Sequence, residues 1–242
     1  MRSMFKISGI IVSATLLILL LIGFLAPNKN YERLVQNIHK ANVGGHELFI
    51  PKGYMSTSHS SAGGESGSID TYYPGSAPIL RGPSDLWKED KWYKNVSILF
   101  YDLYRNGSRD FEKDAQNGLQ GFESHFRATK IVGNQYGLIY QTQPDNIKND
   151  LDELWIERDG DRLISFINCG KKISERTTPQ CTHYFRDGWF SYQILYDKRL
   201  LPEWKMIQTN VLALMQSFRS EKAAQEFIRQ QIPIAYKQQI GE

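Results

Sequence analysis

The strongest hydrophobic pattern in the chain is an unbroken apolar run near its start. Residues 7–26 contain no charged side chain, and Arg2 and Lys6 precede them. An α-helix rises about 1.5 Å per residue, so a run of this length covers on the order of 30 Å, the hydrocarbon thickness of a bilayer. The pattern predicts a single transmembrane helix over residues 7–26.

Two features favour an uncleaved anchor over a signal peptide. Signal peptides have apolar runs of about 7–15 residues that end in a small-x-small cleavage site. This run is longer, and a cut after Ala26 would place Phe24 at the −3 position and Pro27 directly after the cut. We therefore expect residues 7–26 to be a signal anchor. A cleaved signal and a buried soluble helix are the alternatives.

The rest of the chain, residues 28–242, is long enough for one α+β domain with a real core. Basic residues are nearly balanced on the two sides of the anchor, so they do not fix its direction. The two cysteines, Cys169 and Cys181, lie where a disulfide would close a hairpin, which fits an oxidising compartment. We expect residues 1–6 in the cytoplasm and the domain in the periplasm, on a bacterial inner membrane. Two reduced thiols in a cytosolic domain are the alternative.

Four segments precede the first long strand. Residues 30–43 have apolar side chains near helical spacing and predict a short helix that ends at Gly44. Residues 46–55 predict a strand. Residues 56–68 are small and polar, and predict a flexible Ser/Gly-rich loop because such a run buries too little apolar area to offset its ordering entropy. Prolines and glycines predict that residues 72–85 are irregular.

The middle of the chain predicts two strands and one helix. Residues 92–104 are rich in aromatic and branched side chains, which favours a strand. Residues 110–130 place apolar side chains at helical spacing, although Gly118 and Gly121 interrupt the pattern. A further strand is predicted at residues 136–142.

Two Asp-Gly pairs, at residues 159–160 and 187–188, each separate two apolar runs. Asp-Gly between such runs is a strong hairpin signal, so the pattern predicts a four-stranded antiparallel meander. A Cys169–Cys181 disulfide in this meander would contribute about 3 kcal/mol by restricting the unfolded chain. Side chains alternate along a strand, so Leu163, Ile167 and Cys169 are expected on one face of their strand, and Cys181, His183 and Phe185 on one face of the next.

One long C-terminal helix is predicted to pack on the meander. Pro202 suits its first turn, and Pro233 is expected to end it. Its apolar stripe consists of Trp204, Ile207, Val211, Leu214, Met215 and Phe218, continued by Ala223, Phe227 and Ile228.

Charge and chemistry exclude several function classes. The formal net charge of +3, without a basic run beside stacking aromatics, argues against nucleic acid as a partner. The acid-rich residues 145–161 could form a docking surface, but solvated hairpin edges are the favoured reading. No histidine lies three or four residues from another, and no phosphate-binding glycine motif is present. We therefore predict neither enzyme activity nor a metal or cofactor site, and we interpret His183 as a packed, hydrogen-bonded core histidine.

The C-terminal block resembles a known family. Its residues are Cys169, the run Cys181-Thr182-His183-Tyr184-Phe185, and Leu201-Pro202-Glu203-Trp204 followed by a helix that ends near Phe218. Over residues 163–218 this block is similar to small bacterial envelope proteins that are often encoded beside type VI secretion effectors. Characterised members are immunity proteins that bind and block a toxin such as a lipase in the periplasm. The resemblance implies fold and compartment more directly than function.

The leading hypothesis is a membrane-anchored periplasmic immunity protein that neutralises a cognate secreted effector, such as a phospholipase. An anchored accessory factor of a bacterial envelope or secretion machine is the alternative. Inhibition by binding needs an aromatic or apolar cluster inside a polar rim. The candidates are Tyr72, Tyr73, Trp87 and Trp92, beside the predicted loop. Packing within the core or the Pro-rich loop is the other interpretation of these four aromatics.

Overall fold

The computed structural model describes residues 37–55, 61–80, 92–103, 120, 130–142, 152–170 and 179–239. The predicted anchor at 7–26, Trp87 and nearly all of the helix predicted at 110–130 lie outside these ranges. No helix within them is long and apolar enough to cross a membrane. The described chain has the predicted α+β architecture, in which helices pack on an antiparallel sheet.

Among the elements whose bounds the structure describes, the strands come first and the two α-helices last. The strands are β1 (Ile38–Val43), β2 (His46–Pro51), β3 (Ser61–Gly63), β4 (Ser66–Tyr72), β5 (Ala77–Pro78), β6 (Asn95–Asp102), β7 (Lys130–Gln135), β8 (Leu138–Thr142), β9 (Asp152–Asp159), β10 (Arg162–Gly170), β11 (Gln180–Arg186) and β12 (Phe190–Asp197). The helices are α1 (Trp204–Ser217) and α2 (Glu221–Gln239), and 3-10 turns lie at Lys52–Met55, Trp92–Lys94 and Lys198–Glu203.

One large antiparallel sheet organises these elements. Its strand order is β3-β4-β6-β12-β11-β10-β9-β8-β7, and β5 pairs with β4. Strands β9 to β12 are consecutive neighbours, which confirms the predicted meander. Strands β1 and β2 form a separate hairpin.

The core lies on one side of this sheet, here called the inner face. Alternate residues of β6, such as Val96, Ile98 and Phe100, are buried there against apolar side chains from α1, α2 and the β1–β2 hairpin. Cys181, His183 and Phe185 share this face, as predicted. The opposite, outer face carries a smaller cluster on the meander.

Leu163 does not share a face with Ile167 and Cys169, so that prediction is wrong. It packs with Phe166 in the outer cluster, whereas Ile167 and Cys169 belong to the core on the inner face. The cause is a β-bulge: Leu163 pairs with Arg158, but Ser165 already pairs with Glu157. One extra residue reverses the side-chain alternation along the strand.

Residues 38–43 form strand β1, where a helix was predicted. Val43 pairs with His46 around Gly44 and Gly45, whose φ values are 59° and 84°. Two residues of positive φ make the tight hairpin turn that glycine favours. The pairing also buries Ala41 and Val43 in the core, and this tertiary contact outweighs local helical spacing.

The Ser/Gly-rich segment also contains strands where a flexible loop was predicted. Residues 56–60 lie outside the described ranges, but β3 and the start of β4 occupy residues 61–68. Gly67 pairs with Phe100 of β6, and a Cβ atom at position 67 would overlap the Phe100 ring. Position 67 therefore requires glycine, because the Phe100 ring lies directly on the backbone there.

The C-terminal helix is divided in two. Ser220 Oγ accepts a hydrogen bond from the Ala223 N–H at 3.2 Å and starts α2 as an N-cap. Pro233 lies inside α2 and does not end it. The side-chain amide of Gln239 donates to the Pro78 carbonyl and accepts from the Leu80 N–H, both at 2.8 Å. Tertiary contacts of this kind offset the helix bond that a proline removes.

We predict that Gly67→Ala lowers the free energy of unfolding by about 1–3 kcal/mol, because the added methyl group displaces the Phe100 ring. Urea denaturation measures the change. The matched control is Gly188→Ala, where nothing lies within 4 Å of the added Cβ. Equal denaturation midpoints for the two variants would show that the Gly67–Phe100 contact is not tight, and adding Phe100→Leu to Gly67→Ala should recover part of the loss.

Candidate partner-binding surface

The aromatic residues predicted to bind a partner differ in their exposure. Tyr72 is fully buried and packs with Ile79, and Trp92 is half-buried against the same pair. Tyr73 is half-buried against the main core, and its N–H donates to the Lys94 carbonyl at 2.8 Å. The structure thus brings Tyr72, Tyr73 and Trp92 close together, but it directs Tyr72 into the interior.

The ring of Trp92 is also covered by a cation. The guanidinium carbon of Arg199 lies 5.2 Å from the centre of the Trp92 ring and 4.1 Å from that of Tyr93. Asp197 accepts from Arg199 Nε at 2.9 Å and holds the guanidinium in place. The Arg199 guanidinium therefore already packs against the part of the Trp92 ring that the core leaves uncovered, and no binding protein is needed to explain its position. The partner-binding role of the four aromatics stays a prediction.

Cys169 and Cys181 are disulfide-bonded, as predicted. They are directly paired residues of β10 and β11, with Cα atoms 4.0 Å apart, and both are fully buried. The bond therefore joins two central strands of the meander within the core.

His183 lies in the core between the sheet and α1. Its ring centre is 4.9 Å from that of Phe185, 5.8 Å from Trp204 and 6.4 Å from Tyr196. Neither ring nitrogen has a hydrogen-bond partner in the described part of the chain. Burial lowers the pKa of His183 to about 3, and the nearby charge of Lys205 adds to the effect. A neutral, buried imidazole confirms the interpretation as a packed core histidine, but the described residues do not supply the hydrogen bond that was expected with it.

The acidic residues of the meander are largely paired with cations. Glu153 accepts from Tyr140 Oη at 2.8 Å and from Lys198 Nζ. Glu157 forms an ion pair with Lys205 at 2.6 Å. These pairs offset the charges of Glu153 and Glu157. Residues 145–151 of the acid-rich segment lie outside the described ranges.

Exposed apolar side chains are concentrated at the other end of the sheet. Among the described residues, five large hydrophobic side chains are exposed, and three of them lie in β7 and its turn: Ile131 (66%), Val132 (55%) and Tyr136 (43%). All six residues of β7 are exposed, and β7 is the last of the described strands in the sheet order. We call residues 130–142 the edge hairpin. Contiguous exposed apolar groups of this kind mark interaction sites more often than scattered ones.

The edge hairpin is held rigidly although it is exposed. Tyr136 and Gly137 have φ values of 55° and 80° and form a two-residue turn between Gln135 and Leu138. Trp155 Nε1 donates to Gln135 Oε1 at 3.1 Å, and Trp204 Nε1 donates to the Tyr136 carbonyl at 2.9 Å. Two indoles therefore fix the turn to β9 and to α1.

Sequence reasoning missed this surface. Its first strand was not predicted, and the strand expected from residue 136 begins at Leu138. The available signal was Gly137 between two short runs of branched side chains, which is weaker than the Asp-Gly signals elsewhere.

Within the described residues, no group of three or more His, Cys, Asp or Glu side chains could hold a metal.

The fold is similar to that of a solved immunity protein. Smlt3025, an immunity protein of the Stenotrophomonas maltophilia type IV secretion system, superposes with a TM-score of 0.58 and 19% identity, over 76% of this chain and 93% of that one. The Neisseria meningitidis iron-regulated outer membrane lipoprotein FrpD gives a TM-score of 0.47 and 13% identity, over 77% and 94%. No established sequence family and no characterised protein matches the sequence. The first similarity shows an immunity-protein-like fold; the type VI association stays a prediction.

We predict that reducing the Cys169–Cys181 disulfide lowers the free energy of unfolding by about 3 kcal/mol, because the open loop gains conformational freedom in the unfolded chain. Denaturant titrations of the oxidised and reduced protein measure the difference. The Cys169→Ala/Cys181→Ala variant is the control, since its stability should not respond to reductant. Two labelled thiols in the denatured, unreduced protein would contradict the bond.

We predict that His183 makes the protein less stable as pH falls. Its pKa is about 3 in the folded state, against an unperturbed value of 6.5, so the unfolded chain binds the proton first. The contribution of His183 to the free energy of unfolding is complete above about pH 7. It is lost as pH falls from the unfolded-state pKa towards the folded-state pKa, by about 2 kcal/mol between pH 7 and pH 5.

Urea titrations across this range should give His183→Phe a flatter stability curve than the wild type. Replacing the exposed His39 with Gln is the control and should leave the wild-type slope unchanged. Parallel curves for the wild type and His183→Phe would show that His183 also titrates normally in the folded state.

Proposed function

We propose that this protein is an immunity protein that binds a bacterial secretion effector and blocks its toxic activity in the producing cell. The observation that carries the proposal is the fold shared with Smlt3025, which extends over 93% of that immunity protein. The resemblance at residues 163–218 agrees with this proposal, although it implies fold and compartment more directly than function.

Inhibition by binding fits the distribution of polar groups in the described residues. His183 is buried and neutral, and the meander carboxylates Glu153 and Glu157 are paired with lysines. Among the described residues, Ile131, Val132 and Tyr136 of the edge hairpin are exposed, and apolar side chains of this kind are what an inhibitory interface of about 1,600 Å² requires at its centre. We therefore propose that the protein acts as a binding module and not as an enzyme.

The proposal includes a location. Residues 7–26 would anchor the domain in the inner membrane with residues 28–242 in the periplasm. The disulfide suits that compartment. Tethering raises the local concentration of an inhibitor at the surface it protects, so an effector that attacks membrane lipids, such as a phospholipase or lipase, is the class we favour. Type VI delivery follows from the sequence resemblance, whereas Smlt3025 belongs to a type IV system.

A protection assay tests this function. A candidate effector from a neighbouring gene is directed to the periplasm of a laboratory bacterium, with and without the full-length protein. We expect survival to rise by at least about 100-fold when the protein is present, because a blocked effector cannot act. The two purified proteins should also bind with a Kd in the nanomolar range, as measured by calorimetry. Equal killing in both strains together with no binding would refute the proposal for that effector.

A further inference from the structure

We propose that the first turn of α1, residues 204–208, is an acid-sensitive hinge that detaches from the sheet when His183 takes up a proton. We call these residues the hinge turn. The hinge is independent of the proposed function, because its opening needs no partner. It confines the effect of His183 to one segment, whereas a histidine that acts only on the whole fold would affect every buried element equally.

The hinge turn covers the His183 ring from the side opposite the sheet. The ring centres of His183 and Trp204, the first residue of α1, are 5.8 Å apart. The other rings in contact with His183 belong to Phe185 and Tyr196, which lie in the central strands β11 and β12. Moving either of these would break strand pairing, whereas lifting the hinge turn would not. Displacement of Trp204 is therefore the least disruptive way to bring water to the imidazole.

The surroundings of His183 do not stabilise a charged imidazole. Neither ring nitrogen has a hydrogen-bond partner, and the Tyr196 hydroxyl and Gln208 Oε1 are also buried without one. The nearest charge from α1 is that of Lys205, which opposes protonation and lowers the pKa of His183. The carboxylate closest to this lysine, Glu157, forms an ion pair with it at 2.6 Å. A proton on His183 therefore gains no compensating bond while the hinge turn is closed.

The neighbouring strands add no free carboxylate among the described residues. On β10, the residue paired with His183 is the apolar Ile167. On β12, the Tyr192 hydroxyl donates to Asp187 at 2.8 Å, and Asp187 also accepts from Arg219 at 2.7 Å. Burial raises the pKa of the Tyr196 hydroxyl far above its usual range, so this group stays neutral.

The hinge turn is held less firmly than the rest of α1. Its N-cap residue, Glu203, makes no side-chain capping bond. The Lys205–Glu157 ion pair is largely exposed on the lysine side, and exposed pairs contribute little stability. Further along the helix, Val211, Leu214 and Phe218 are completely buried in the core. The first turn can therefore open while the remainder of α1 stays packed.

Acid favours the open turn. The pKa of His183 is about 3 when the turn is closed and returns towards 6.5 when the ring meets water, so the open form takes up the proton first. The closed turn is favoured above about pH 7, and linkage increases the open fraction on the order of 20-fold between pH 7 and pH 5. Opening also breaks the bond from Trp204 Nε1 to the Tyr136 carbonyl, so acid loosens the turn of the edge hairpin as well.

Hydrogen exchange of the full-length protein, followed by mass spectrometry, tests the hinge. Protection factors are corrected for the intrinsic exchange rate at each pH. Between pH 7 and pH 5, amides of residues 204–208 should lose protection on the order of 20-fold, whereas those of residues 224–232 in α2 should change less than about threefold. His183→Phe should remove this difference between the two segments, and His39→Gln should keep it.

Three outcomes would overturn the hinge. An equal loss of protection in both segments would show that His183 acts only through unfolding of the whole domain. Unchanged protection of residues 204–208 in the wild type would show that the turn does not open in acid. A loss that persists in His183→Phe would assign the response to another titrating group. None of these results depends on an effector, so the hinge and the proposed function fail separately.

Discussion

An antiparallel sheet with one apolar face is stable only when that face is covered. In this molecule, the extent of the cover determines which strands are buried and which are exposed. The β1–β2 hairpin, α1 and α2 bury the inner face. Gln239 fastens α2 beside β5 at one end, and Trp204 reaches the Tyr136 carbonyl at the other. The sheet continues for one strand beyond this contact, and β7 is exposed along its whole length. Within the described part of the chain, the sheet is therefore wider than its cover.

The parts of the fold that follow from local chemistry could be predicted from sequence. The Asp-Gly turns, the alternating meander strands and the paired cysteines each carry a short-range signal, and the structure contains all of them. The wrong predictions concern segments whose structure depends on contacts with residues that are distant in sequence. Gly67 lies in a strand because Phe100 packs over it, and β1 exists because β2 pairs with it. Pro233 is tolerated in α2, which Gln239 fastens to the segment after β5.

The candidate surface was harder to predict than the fold, for a related reason. Aromatic residues suggested a binding cluster near Tyr72 and Trp92, but composition does not reveal burial. The sheet buries Tyr72 and Arg199 covers Trp92. Conversely, Ile131 and Val132 have the composition of a core strand and are exposed, because β7 lies at the end of the sheet order. Whether an apolar side chain is buried depends on which strand is last, and that is a property of the whole topology.

An exposed apolar edge carries a risk, and the edge hairpin has the features that limit it. The bulge at Val132 makes the edge irregular, Lys130 places a charge at its start, and the strand is short. Two tryptophan hydrogen bonds hold the turn of this hairpin against β9 and α1. The irregular edge is therefore supported by the same core residues that cover the sheet beside it.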